Sequence, residues 1–292
     1  AANRHLQESD AHAHSLSGGF FGYNRSMTTQ SDPQGLPAII KQYWGYDSFL
    51  PLQAEATASV MAGRDSLVIL PTGGGKSLCF QAPALAMPGM AVVVSPLISL
   101  MKDQVDGLKA NGVEAACIHS GMLQHERAEV HQAIQERRLK LLYVAAERIV
   151  QPSFIRYLRD AAPSFIVIDE AHCISHWGHD FRPDYRAMST LREAFPDLAL
   201  HAYTATATQH VRDDIVRELR LRDPEILVGS FDRPNLIYRV QPRADGFKQL
   251  MNLINRHPGD SGIVYCIRRR DVDDLCEKLN TAGHNALPYH AG

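Results

Sequence analysis

Cysteine is scarce and scattered in this sequence: five residues, at positions 79, 117, 173, 266 and 276, with no C-x-x-C pair among them. An odd, dispersed set argues against a disulfide framework or a four-cysteine zinc site and points to a reducing, cytoplasmic compartment. No apolar run approaches the ~18 residues of a membrane span, and the N-terminus has no apolar signal core. A soluble protein without a membrane partner is therefore expected. Net charge is nearly absent too, since 30 Lys+Arg stand against 32 Asp+Glu for a formal −2. A nucleic-acid surface needs a basic patch, which bulk charge here neither supports nor excludes; any such patch is local. What remains is ordinary globular composition, 45% hydrophobic and 21% charged over 292 residues, without repeats or low-complexity tracts. A chain of this length accommodates one full domain plus part of another.

Against those absences stands a regular alternation of patterns. Leu36, Ile39, Ile40 and Tyr43 recur at the spacing of one helix face. A second helix is expected over Gln53–Met61, leading by Gly63 into the apolar run Ser66–Leu70. Similar runs follow at Ala91–Ser95, Ala115–His119, Lys140–Val144, Phe165–Ile168 and Leu198–Tyr203, with helical patterns between most of them, as at Met101, Val105 and Leu108. Continuous apolar strands alternating with helices predict an α/β fold, a parallel sheet covered on both faces.

Residues 1–26 are polar and rich in His, Ser and Gly, and Met27 opens a stretch that reads as a natural start, so 1–34 is expected to be a disordered tail. Around Gly229–Asn235 (GSFDRPN) the composition marks a linker. The first domain then covers 35–229 and a second unit 230–292. That unit is predicted to hold strands Leu236–Val240, Gly262–Cys266 and Ala286–His290 and two helices, one with Phe247, Leu250, Met251 and Ile254, the other with Val272, Leu275, Cys276 and Leu279. Three strands in roughly sixty residues leave much of a sheet face without helices, so the unit reads as cut off.

Four segments carry chemistry. Ser66–Leu70 runs into Pro71-Thr72-Gly73-Gly74-Gly75-Lys76-Ser77, ahead of a helix. Glycines let backbone N–H groups turn toward phosphate oxygens, and the helix N-terminus adds partial positive charge. Lys76 would reach the β- and γ-phosphates of ATP and Ser77 would bind Mg²⁺. Leu70 stands where the general pattern has its first Gly, so only the Gly-Lys-Ser half is matched. Phe165–Ile168 then delivers Asp169-Glu170-Ala171-His172, two carboxylates at a strand's C-terminal end, where open α/β sheets bind ligands. Asp169 would hold Mg²⁺, and Glu170 would orient or deprotonate the attacking water.

The stretch from Cys173 to Tyr185 interleaves Trp177 and Phe181 with Arg182, which suits base stacking on single-stranded nucleic acid. Two alternatives stand beside that reading. The aromatics can pack in a core, and His172, Cys173, His176 and His179 can hold a metal. Thr204-Ala205-Thr206-Ala207-Thr208 ends a strand with a row of hydroxyls, either a relay of nucleotide state or a turn capped by Thr206 or Thr208.

With these residues in view the chain resembles RecQ-family DNA helicases of superfamily two. The resemblance rests on GYDSFLPLQ (45–53), LPTGGGKS (70–77), SPLISLMKDQV (95–105), IDEAHCISHWGHDFRPDY (168–185), TATAT (204–208), SFDRPN (230–235) and IVYC (263–266). It implies a RecA-like motor domain followed by an incomplete second one. The implied activity is ATP-dependent 3′-to-5′ unwinding of duplex DNA, with translocation on single-stranded DNA and a place in DNA repair and recombination. It assigns Tyr46 and Gln53 to adenine, and Trp177, Phe181 and Arg182, with His172, Thr204 and Thr206, to coupling DNA to hydrolysis. The sequence departs from the family at Leu50, where many members carry Arg, and at His176, where Gln is common. Leucine donates no hydrogen bond, so a weaker adenine contact is expected. The family's last motor motifs, its arginine finger included, and its zinc-binding and winged-helix regions would lie beyond Gly292. Arg268, Arg269 and Arg270 read as a solvated charge run. Two rival readings are an ATP- and DNA-binding module without turnover and an RNA-remodelling motor; the WGHDFRPDY loop disfavours the second.

Overall fold

The computed structural model describes residues 35–178, 180–230 and 236–290. The expected tail 1–34, His179, most of the linker (231–235) and the final Ala291-Gly292 lie outside the described residues. The chain divides into two compact units between Arg233 and Pro234.

The first unit is built on seven parallel strands: β1 Ser66–Ile69, β2 Ala91–Ser95, β3 Ala115–Ile118, β4 Leu141–Ala145, β5 Phe165–Ile168, β6 Leu200–Thr204 and β7 Glu225–Val228. Their order across the sheet is β3-β4-β2-β5-β6-β1-β7. Six follow the apolar runs of the sequence to within two residues at either end; β7 was not anticipated. Side chains alternate along each strand and feed two cores. Leu67, Ile69, Val92, Val94, Ile166 and Ile168 face one, shared with Phe154, Leu158, Val211 and Ile215 of the helices on that side. Val68, Leu70, Ala91, Val93, Phe165 and Val167 face the other, with Ala56, Val60, Phe80 and Met101. Each aliphatic side chain so buried contributes roughly 1.5–3 kcal/mol, which is why strands apolar on both faces occupy the centre of a covered sheet.

β1 is fixed at its start by buried polar groups. Asp65 accepts hydrogen bonds from the backbone N–H of Leu200 at 2.9 Å and of Arg222 at 2.7 Å, and it is paired with the Arg192 guanidinium. Ser66 Oγ lies 2.9 Å from His201 Nδ1 on β6. A register slip would leave these groups buried without partners, a penalty of about 1–3 kcal/mol each, so they hold β1, and the loop after it, in one register.

The second unit shows the two expected helices, Gly246–Asn255 and Arg269–Thr281. The three strands expected there are not formed: 236–240, 262–266 and 286–290 carry no ladder. A strand needs a hydrogen-bonded neighbour, and these segments have none among the described residues. Several of their apolar side chains, Val240, Tyr265 and Tyr289 among them, stand almost fully exposed. Arg268 and Arg270 pair with Asp271 and Asp274 at the exposed start of the second helix, as a solvated charge run does.

Candidate functional site

The C-terminal ends of β1, β6 and β5 are adjacent in the sheet, so the Gly-rich loop, the threonine row and the carboxylate pair emerge along one edge. Leu70 N–H donates to the Thr204 carbonyl at 3.1 Å, tying the first two together. The loop turns at Gly74, whose N–H meets the Pro71 carbonyl at 2.8 Å, and Gly73 and Gly75 take left-handed φ of 84° and 68°. An L side chain adopts that backbone only at a cost. A Cβ on Gly75 would also run into Gln53 Nε2. Thr72 and Gly73 are exposed, and Lys76 Nζ lies 3.3 Å from the Leu70 carbonyl. Ser77 opens the helix Leu78–Ala86 without capping it by its own hydroxyl.

Gln53 is buried under this loop. Its Nε2 donates to the carbonyls of Gly74 at 3.1 Å and Gly75 at 3.3 Å, and its Oε1 accepts the Leu50 N–H at 2.7 Å. The amide that the family resemblance assigns to adenine is thus a staple between the 46–53 segment and the phosphate loop. Tyr46 and Leu50 are each 54% exposed beside it, an apolar platform.

Asp169 is 8% exposed, anchored by its N–H to the Val94 carbonyl at 2.8 Å and by its own carbonyl to the Tyr185 hydroxyl at 2.9 Å. Burial, reinforced by the neighbouring Glu170 charge, pushes its carboxyl up to about 6, against the opposing pull of the Glu170 N–H and of Lys76. Such a carboxylate gains when a cation replaces lost solvation. With the Ser77 hydroxyl and the Lys76 charge at the same edge, it is a hard oxygen donor set suited to Mg²⁺ with nucleotide phosphates.

Glu170 takes a left-handed φ of 49°, which turns its carboxylate toward His172 Nδ1 at 3.2 Å. The same nitrogen lies 2.9 Å from Thr204 Oγ1, and that hydroxyl reaches the Thr206 carbonyl at 3.2 Å. Thr208 Oγ1 accepts the Val211 N–H and caps the helix Gln209–Glu218. The cap is thus made by Thr208, while Thr204 joins His172 to the Thr206 carbonyl.

The loop from Ser175 to Arg182 answers the core-packing alternative. Trp177 is 79% exposed, and Phe181, half-buried, stacks on His176 at 3.8 Å. Arg182 Nη1 donates to the Pro96 carbonyl at 2.7 Å, and its Nε and Nη2 meet Asp180 Oδ2 at 3.1 and 3.0 Å. The guanidinium thus braces the loop. Among the described residues no His, Cys, Asp or Glu cluster is arranged for a metal, so the histidine–cysteine alternative gains nothing. The structure adds residues that sequence reasoning missed: Tyr185 beneath Asp169, and Asp214, which holds Ser175. Tyr185 sits in the quoted DFRPDY block; nothing in the sequence marked Asp214.

A sequence profile described as DEAD/DEAH box helicase matches residues 50–215. The chain is 45% identical over 254 residues to the ATP-dependent DNA helicase RecQ of Pasteurella multocida, covering 87% of this chain and 40% of that protein. It is 40% identical over 257 residues to RecQ of Bacillus subtilis, covering 87% of this chain and 44% of that one. The chain thus spans about two fifths of the length of the curated relatives it matches. Among solved structures, the DUF1998 helicase MrfA superposes with a TM-score of 0.64 at 16% identity, covering 86% of this chain and 41% of that one. Mycobacterium smegmatis Lhr, bound to ssDNA and AMP-PNP, gives 0.56 at 17%, covering 86% and 37%. At these identities the likeness is one of fold. Gly-rich loop, carboxylate turn and threonine row along one sheet edge agree with the profile match over more than half the chain: it belongs to the DEAD/DEAH box helicases.

Proposed function

We propose that this chain is the nucleotide-binding part of an ATP-dependent DNA helicase that couples Mg-ATP hydrolysis to 3′-to-5′ translocation on single-stranded DNA and to duplex unwinding. The observation that carries this reading is the carboxylate turn beside the Gly-rich loop, with Glu170 linked through His172 to Thr204 and an exposed Trp177 a few residues on. The N–H groups of Thr72–Ser77 and the Lys76 ammonium hold the phosphates, while Tyr46 and Leu50 offer a face to the base. Asp169 and Ser77 would hold Mg²⁺, which when bound neutralises charge developing between the β- and γ-phosphate oxygens. Glu170 orients the attacking water, kept in place by His172. Trp177 stacks on a base, and Phe181 and Arg182 keep the loop presented. The five thiols are all unpaired, which suits a reducing, cytoplasmic compartment.

Steady-state ATP turnover with and without single-stranded DNA tests the coupling, and strand separation from duplexes with 3′ or 5′ overhangs tests polarity in the full-length protein. DNA-stimulated hydrolysis with unwinding from 3′ overhangs is expected. Binding of ATP and DNA without turnover would leave only a binding module, and preference for RNA oligonucleotides would overturn the DNA assignment.

A further inference from the structure

The aromatic loop is held at its base by one hydroxyl. Ser175 is fully buried, and its Oγ donates to Asp214 Oδ2 at 2.7 Å while accepting the Trp177 backbone N–H at 3.1 Å. The Gly178 N–H returns to the Ser175 carbonyl at 3.0 Å, and a Cβ on Gly178 would strike the His172 carbonyl, so only glycine fits at this turn. Asp214 belongs to the helix Gln209–Glu218, and its other carboxylate oxygen is paired with Arg217. Arg217 also reaches Glu218, which meets Arg186. Oδ2 is thereby aimed at Ser175 by a carboxylate that cannot easily rotate away. The Ser175 hydroxyl and the Arg217 charge hold the Asp214 carboxyl below its ordinary range, so it is ionised at working pH and the bond is charge-assisted.

The helix that carries Asp214 begins at Thr208, directly after the threonine row that meets His172 and, through it, Glu170. Loop and nucleotide edge are therefore joined twice: along the chain from His172 to Ser175, and from Thr204 along the chain into the helix and across the Asp214–Ser175 hydrogen bond.

We propose that Asp214 is a positioning residue for the DNA-binding loop, acting through Ser175 to set where Trp177 is presented and to pass the state of the nucleotide edge to it. The proposal rests on the reading of this loop as the single-stranded DNA contact. The sequence contains two tryptophans, so Trp44→Phe leaves Trp177 as the sole indole reporter. In that background, Asp214→Ala and Ser175→Ala should each lower the fluorescence anisotropy of Trp177 in the absence of DNA. Each should also weaken oligo-dT binding about tenfold, the size of a charge-assisted hydrogen bond. The double variant should lose no more than either single one. Asp214→Asn, whose amide oxygen still accepts the Ser175 hydroxyl, should recover most of both signals, and basal ATP turnover without DNA should not change.

The change in oligo-dT affinity on adding Mg-AMP-PNP should shrink in the two alanine variants and return in Asp214→Asn. A residue that merely stabilises the fold would lower the melting temperature and leave that ratio alone. Unchanged Trp177 anisotropy in both alanine variants overturns the proposal whatever happens to DNA, as do additive losses in the double variant. If the parent fails to bind oligo-dT while the anisotropy changes appear, it is the DNA reading of the loop that fails, and the positioning role stands.

Discussion

Replacing Asp169 by Asn removes a carboxylate that the fold ionises against resistance. Its pKa lies near 6 in the folded protein against 3.8 for the free side chain, a difference worth about 3 kcal/mol at 1.36 kcal/mol per pH unit. Because the folded value is the higher one, the cost is present in full above pH 6 and fades as pH falls toward 4. An amide at the same place still accepts the Glu170 N–H, which Oδ1 now meets at 2.9 Å. Its NH₂ needs a new partner, which returns on the order of 1 kcal/mol of the gain. The variant should then be about 2 kcal/mol more stable than the parent at pH 7.5, or roughly 4–8 °C in melting temperature, while losing Mg²⁺-dependent nucleotide binding.

Thermal melts in metal-free buffer between pH 4.5 and 8 measure this. The gap should close below pH 6 as the parent's Asp169 protonates. His201, pulled down to about 4 by burial, withdraws stability over a similar range, since its neutral form is the folded one; it is common to both proteins and cancels in the difference. A variant no more stable at pH 7.5, or a gap independent of pH, would refute the reasoning.

Glu170→Gln should retain ATP binding and lose turnover, whereas Lys76→Ala should lose both, since it removes phosphate and transition-state contacts; full turnover in the first would sink the assignment of Glu170. Trp177→Ala should weaken single-stranded DNA binding by ~1–3 kcal/mol with no change in melting temperature, because the indole is 79% exposed; fluorescence titration and a melt read the two quantities. Gly75→Ala should raise the Kd for ATP at least tenfold, by strain at a φ of 68° and by displacing the Gln53 amide, and a nucleotide titration checks it. In hydrogen exchange, 236–266 outside the helix should exchange at near-unfolded rates, because those amides enter no ladder, while β2, β4 and β5 remain protected.

The strands that positioned the site were legible because β1, β2 and β5 are buried on both faces, and a continuous Val/Ile/Leu run has no other stable place in an α/β fold. β7 escaped notice for the opposite reason. It sits at the sheet edge with Ile226 and Val228 partly exposed, and it is a strand only because β1 lies beside it. The runs at 236–240 and 262–266 have the composition of strands, but composition does not supply the neighbour. The Gly-rich loop and the carboxylate pair could be read because each is contiguous. The contacts that hold them in place could not: Arg192 reaches Asp65 across 127 positions and Ser175 reaches Asp214 across 39. Gln53 was marked as functional from its segment, yet that its amide would be spent on the loop carbonyls depends on a fold, not on a pattern.

The pairing of β1 also sets an order of events during synthesis. Its two partners are β6, with Ser66 opposite His201, and β7, with Ser66 opposite Glu225. The strands on the far side, β2 to β5, can zip against one another as they emerge. A nascent chain that ends before Leu200 already contains the phosphate loop and the carboxylate turn, yet it has no seat for the strand that carries the loop. Closing so distant a contact is slow, and until it closes Leu67, Val68 and Ile69 form an apolar segment available to chaperones or to a neighbouring copy. Only a chain that has brought β1 home presents the Gly-rich loop, the threonine row and the carboxylate turn along one edge.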